Sequence, residues 1–314
     1  MQVEAFLKTT SFGLAEGSVY ERLRRHPGIR FDPHLAHATL IYDARAASIL
    51  ERLHREYFDV AQRHGLAMFA ATDTWRANHE RLCQSDFREF AVNQDNARFM
   101  TTLRDSYGPA AHPIYIAGQI GPRGDAYRPD EALSSAQAER FHTPQIEALA
   151  RAHVDFLQAA TLPAFSEAQG IAAAMAKTGL PYVLSFVIQR DGTLLDGTPF
   201  DLAIQILDES IPAPPMGYAV NCVHPTIFQA GLSALAKRDG SLPGRVLCYQ
   251  ANASPRSPEE LDGLCDLDSE KPETLADLML TAHQRFHTPV LGGCCGTDSS
   301  HLECLARKYK ALIQ

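Results

Sequence analysis

Apolar residues stand at consecutive positions in eight short segments of this chain, near 3–9 and at 65–72, 113–120, 154–162, 181–188, 217–223, 245–251 and 288–294. Unbroken apolar runs of this length predict strands covered on both faces, as in a parallel sheet. Between them the pattern changes to a helical period. Ala46, Leu50, Leu53, Tyr57 and Val60 recur at steps of four and three, which predicts a helix over 44–64. Thr143–Pro144 predicts a helix start, and Ser166 a cap for a helix that runs to about Lys177 and ends before Gly179. Pro272 opens another, with Leu275, Leu278, Met279 and Ala282 on its apolar face.

Strands alternating with helices predict an α/β architecture. Eight of each favour a (β/α)8 TIM barrel, a single domain over 1–314, above a doubly wound open sheet. "GQIGPRG" at 118–124 spaces its glycines three apart and so is not the dinucleotide fingerprint. The sequence contains no P-loop, GxSxG elbow or HExxH.

A net charge of −8 with no basic run argues against nucleic acid and anionic membrane surfaces as partners. No stretch approaches the ~20 apolar residues of a membrane span, and the first residues do not read as a secretory signal. The expected location is cytoplasmic. Seven cysteines, an odd number in a long chain, argue against a disulfide framework.

Three of these cysteines change the picture. Barrel enzymes carry their chemistry at the C-terminal ends of strands. Cys222 ends the sixth run, and Cys294 and Cys295 end the eighth. Three converging thiolates with no fourth protein ligand would make an open zinc site. Successive strand residues face opposite ways, so the chain must bend to aim both sulfurs at one point, and Gly292, Gly293 and Gly296 permit unusual angles there. Two other readings stand beside this one. Free cysteine is common in cores, the reading given to Cys83, Cys248, Cys265 and Cys304. A Cys294–Cys295 disulfide would be strained, since adjacent Cα atoms lie ~3.8 Å apart and disulfides prefer ~4.4–6.8 Å.

"GGCCGT" at 292–297 and "VNCVHP" at 220–225 resemble the two zinc-binding signatures of the homocysteine S-methyltransferase family. "YQANAS" at 249–254, "HREYFDVAQRHG" at 54–65 and "AATDTWRAN" at 70–78 are similar to further segments of it. The resemblance implies a (β/α)8 barrel that binds Zn2+ through Cys222, Cys294 and Cys295. It implies transfer of a methyl group from a methylated cation (S-methylmethionine, S-adenosylmethionine or betaine) to a zinc-activated thiol, homocysteine giving methionine. The partners would then be a small-molecule thiol acceptor and a methylated cation donor, with no catalytic side chain beyond the activated thiolate. The alternatives are another thiol or selenol as acceptor, a zinc- or sulfonium-binding barrel without turnover, and a redox protein using the paired cysteines.

The chain departs from the family pattern twice. The aspartate–glycine–glycine segment after the first strand is replaced by "KTTSFGLAEG" (8–17), which has no aspartate, and Ala160 stands in place of a glutamate after the fourth. Asp73 is the candidate for the missing anionic contact, or a loop aspartate that caps local backbone or faces solvent. Trp75 is a candidate cation–π face, or a packing residue. Asn221 and Asn252, at strand ends, are candidates for holding substrate polar groups or for satisfying loop backbone. His34, His37, His54 and His64 read as surface or packing residues.

Overall fold

The computed structural model describes residues 3–237, 243–256 and 268–313. Eight parallel strands close into a barrel in chain order: β1 (Gly13–Ala15), β2 (Met68–Ala71), β3 (Ile114–Ile120), β4 (Phe156–Leu162), β5 (Tyr182–Phe186), β6 (Gly217–Val223), β7 (Val246–Ala251) and β8 (Val290–Gly293). β1 pairs with both β2 and β8, which closes the ring. Helices follow the strands, so each strand is covered outside by helix and inside by its neighbours across the barrel.

Seven of the eight apolar runs are strands. The first is not. Residues Val3–Thr9 form a helix, whose Val3, Phe6 and Leu7 fall at helical spacing and pack on Phe69 and Tyr115 at the N-terminal end of the barrel. The true first strand is the buried tripeptide Gly13–Ala15. Two helix starts also differ. The helix Ser135–Arg151 begins at a capping box of Ser134 and Gln137, leaving Pro144 in its interior. The helix Phe165–Ala176 has Ala164 at its cap position, and the Ser166 hydroxyl donates to Leu133 O instead.

The inside of the barrel is only partly filled. Ala15, Ala71 and Ala160 and the amides of Gln119, Gln158 and Gln250 stand where many barrels place branched apolar residues. They leave a cavity of about 510 Å³ that runs from Cys294 and Cys295 at the C-terminal rim to Leu7 and Met216 at the opposite end. Among the described residues no helix is long and apolar enough to cross a membrane.

Candidate metal centre and substrate cavity

The barrel brings the three predicted cysteines together. The Sγ atoms of Cys222, Cys294 and Cys295 all lie within 4.8 Å of one another. Cys222 and Cys294 stand in disulfide contact, and Cys295 Sγ is 4.0 Å from Cys222 Sγ. The vicinal Cys294–Cys295 pairing considered from the sequence is absent: Cys295 is a free thiol. Among the other cysteines Cys304 is buried as expected of a packing residue, but Cys83 is exposed and Cys248 lines the cavity. Cys265 lies outside the described residues.

Local backbone explains how the sulfurs converge. β8 ends at Gly293, so the chain has left strand geometry when it reaches Cys294. Of the three glycines only Gly296 has a left-handed φ, +81°. Gly292 serves close approach instead, because a Cβ there would sit 2.6 Å from Ala15 Cβ and Ala15 O across the β1–β8 seam. Gly293 leaves room for Thr297, whose hydroxyl donates to Cys294 O and accepts from Ser18 N. Gly292→Ala should therefore lower stability by about 1–3 kcal/mol, as overpacking does. A denaturant midpoint within error of the unsubstituted protein would contradict that.

Cys222 is aimed by strain. Its φ is +57°, and Thr161 on β4 has φ +64°. A left-handed conformation costs a non-glycine residue roughly 1–2 kcal/mol. Asn221 holds both bends. Its Oδ1 accepts from Thr161 N at 3.0 Å and Ser185 Oγ at 2.6 Å, and its Nδ2 donates to Thr161 Oγ1 at 2.7 Å. Asn221 thus fixes strand ends β4, β5 and β6, and it also lines the cavity. Asn252 likewise turns inward on its own loop to accept from Ser254 N at 3.1 Å, and it does not line the cavity.

The carboxylate that seemed missing from the N-terminal segment is present. Glu16 follows β1 directly, buried, with Gly17 after it. β1 is too short to mark this position in the sequence, and a glutamate is longer than the family aspartate. Glu16 Oε1 accepts from His54 Nδ1 at 2.5 Å, while His54 Nε2 donates to Asp73 Oδ2 at 3.1 Å. His37 Nε2 lies 3.3 Å from Asp73 Oδ1. Burial alone would lower the His54 pKa, but Glu16 and Asp73 outweigh it and push it up to about 10, so His54 is an imidazolium at neutral pH. Burial works against the Asp73 carboxylate too, yet His54 and His37 hold it well below the usual range. All four side chains line the cavity. His37 and His54 are therefore cavity residues, contrary to the sequence expectation. His64 pairs with Glu303 at 2.6 Å, away from the site.

Trp75 also lines the cavity, donating from Nε1 to Ala160 O at 3.1 Å. One ring face is already covered, with Arg76 Cζ 4.0 Å from the ring centre. Burial pushes the Cys295 thiol up to about 12, with Glu21 adding to the effect and Arg24 opposing it. A site without a cation thus keeps this sulfur protonated; a bound cation reverses that preference.

Comparison with known proteins decides the family. The family model for homocysteine S-methyltransferase matches residues 14–309, nearly the whole barrel. The chain belongs to the homocysteine S-methyltransferase family. Members of this methyltransferase family include a curated homocysteine S-methyltransferase of Escherichia coli strain K12, 28% identical over 216 residues. That alignment covers 64% of this chain and 66% of the relative's length. Among solved structures, the metallated form of the homocysteine methyltransferase MmuM from Escherichia coli has TM-score 0.75 at 23% identity, covering 97% of this chain and 98% of that one. Its oxidized form has TM-score 0.74 at 23% identity, with 98% and 99% coverage. These structural likenesses establish the shared barrel fold.

Proposed function

We propose that the chain is a zinc-dependent thiol methyltransferase whose acceptor is homocysteine and whose donor is a methylated cation, a sulfonium such as S-methylmethionine before betaine. The convergence of three sulfurs on one point of the barrel rim, facing the cavity, carries this reading.

The donor set fits the metal. Zn–S bonds of ~2.3 Å in tetrahedral geometry place sulfurs ~3.8 Å apart, and the Cys222–Cys295 edge measures 4.0 Å. Only the Cys222–Cys294 edge must open, which requires both to be reduced thiols. With three protein ligands a fourth position is left for an acceptor sulfur. Bound there, Zn2+ would supply a thiolate at neutral pH, which a free thiol of pKa ~8.5 scarcely provides.

The residues around the sulfurs do the rest. Glu16 and Asp73 share one imidazolium, an anionic surface able to receive an α-ammonium group in place of the β4 glutamate that Ala160 replaces. Asn221 keeps Cys222 turned toward the rim. The apolar lower cavity limits water around a cationic donor that loses its charge as the methyl leaves, which favours transfer.

Zinc K-edge X-ray absorption on the reduced, zinc-loaded protein tests the reading. The expected first shell is three sulfurs and one lighter atom, becoming four sulfurs when homocysteine is added. A shell that ignores homocysteine would overturn the acceptor, and fewer than three protein sulfurs would overturn the site.

A further inference from the structure

The cavity wall formed by the loops after β2 and β3 carries a guanidinium that no carboxylate among the described residues bonds. Arg76 follows Trp75 on the loop after β2 and lines the cavity. Its Nη1 donates to Pro122 O at 3.0 Å and Gly124 O at 2.7 Å, and its plane rests on the Trp75 ring. Trp75 is itself pinned by its bond to Ala160 O and by Gly121, where a Cβ would come within 2.5 Å of Trp75 Nε1. Arginine has five N–H groups. With both hydrogens of Nη1 engaged, the Nε–Nη2 edge is left as a fork, the geometry that takes a carboxylate through two bonds.

Nearby acids do not complete it. Among the described residues no carboxylate forms an ion pair with Arg76. Glu167 Oε1 takes both His142 Nε2 and Arg123 N at 2.8 Å while its Oε2 bonds nothing, and Asp125 accepts from Tyr127 N; neither acid bonds Arg76. Burial pushes the Arg76 pKa down to about 10, with Arg81 acting in the same direction and Asp125, Tyr20 and Glu167 only partly opposing it. A half-buried cation held rigidly with no bonded carboxylate gains from an anion that reaches its free edge.

Position decides which anion. The Arg76 guanidinium is bonded to the loop after β3, which lies three strands round the eight-strand ring from β8 and its cysteines. Strands ~4.8 Å apart, tilted ~36°, give a barrel about 15 Å across. Homocysteine spans only about 5 Å from sulfur to carboxyl carbon, judged from ordinary bond lengths. An acceptor whose sulfur sits among the cysteines therefore reaches Glu16 on adjacent β1 but not the far wall. The donor, whose methyl must meet that sulfur from the open side, occupies the remaining span.

Resting on the methyltransferase reading, we propose that Arg76 is the carboxylate receptor of the methyl donor, so that the donor is a cation that also bears a carboxylate and is selected by it. Arg76 is then a specificity residue for the donor and not for the acceptor.

S-methylmethionine and its carboxamide share a sulfonium and differ in the carboxylate, so the ligand itself supplies the test. In the unsubstituted enzyme the carboxamide should lose roughly 10- to 100-fold in kcat/KM, the range for a charged hydrogen-bonded contact. Arg76→Gln should lose a similar factor with S-methylmethionine, lose nothing further with the carboxamide, and leave the homocysteine KM within about twofold; Arg76→Lys should recover part of the loss. Equal losses with both donors would show a structural role, and a raised homocysteine KM would assign Arg76 to the acceptor; either overturns the proposal. Calorimetric binding of the two compounds to the reduced, metal-free protein gives a second readout that needs no turnover. Tighter binding of S-methylmethionine supports Arg76 even where turnover is absent, a result that would count against the methyltransferase reading alone. Equal binding of the two, or none of either, overturns the proposal.

Discussion

Cys222→Ala is expected to remove stoichiometric zinc from the reduced protein and to lower methyl transfer by at least roughly 100-fold, the upper end of what the loss of mere outer-shell support for a metal causes. The argument is geometric. Three sulfurs within 4.8 Å make a site that is already open at one position. Removing one leaves two ligands on adjacent residues of a single bend, which cannot enclose the ion. Cys294→Ala and Cys295→Ala should behave alike, because each removes one corner of the same triangle. Cys83→Ser, which changes an exposed thiol, should retain the zinc and act as control. Oxidation that joins Cys222 to Cys294 should mimic the substitutions and be reversed by a thiol reductant, since both sulfurs must be thiolates to bind metal. Elemental analysis against protein concentration, with thiol titration and circular dichroism on the same samples, separates loss of metal from loss of fold. Full zinc occupancy in Cys222→Ala would refute the three-cysteine site.

The parts of this molecule legible in the sequence are those that a local pattern can carry. β2 to β8 are largely buried and read as mostly apolar runs, β7 the least so because Leu247, Cys248 and Gln250 line the cavity. β1 has only three residues, too few for a pattern, and the apolar spacing of the helix before it drew the strand assignment to 3–9. Glu16 is recognisable only as the residue that follows this short strand. The adjacent cysteines were legible because their pairing between glycines is rare and has few uses. His54 was not. It sits on a helix among Leu50, Leu53 and Tyr57, and its partners are 38 and 19 residues away in sequence. Nothing local marks it as the cation between two carboxylates. Asn221 illustrates the reverse case, a strand-end polar residue whose hydrogen bonds go to Thr161 and Ser185 once the barrel is closed.

Asp73→Asn is expected to raise the KM for homocysteine about 10- to 100-fold, the range for losing a hydrogen bond to a charged partner, while zinc content stays at the unsubstituted level. The reason lies in how the charge is held. Asp73 is a carboxylate at neutral pH because His54 and His37 hold it well below the usual range, and His54 bonds Glu16 through its other ring nitrogen. Removing Asp73 leaves His54 paired with Glu16, so the fold survives and the acceptor's ammonium loses one of two anions. Removing the cation is different. His54→Gln leaves two buried carboxylates without their shared partner and should cost about 3–5 kcal/mol of stability, as breaking a buried ion pair does. The pH dependence follows the same assignment. His54 is raised from its ordinary 6.5 to about 10, so its stabilisation is complete below 6.5 and is lost as pH rises through about 10. Asp73 is depressed, so its contribution is present above the ordinary value of 3.8 and is lost as pH falls through its lowered value. Stability between these limits should therefore decline on the alkaline side in the unsubstituted protein but not in His54→Gln. Unchanged homocysteine kinetics in Asp73→Asn would remove Asp73 from the acceptor site. An alkaline decline of equal size in His54→Gln would show that another group carries it.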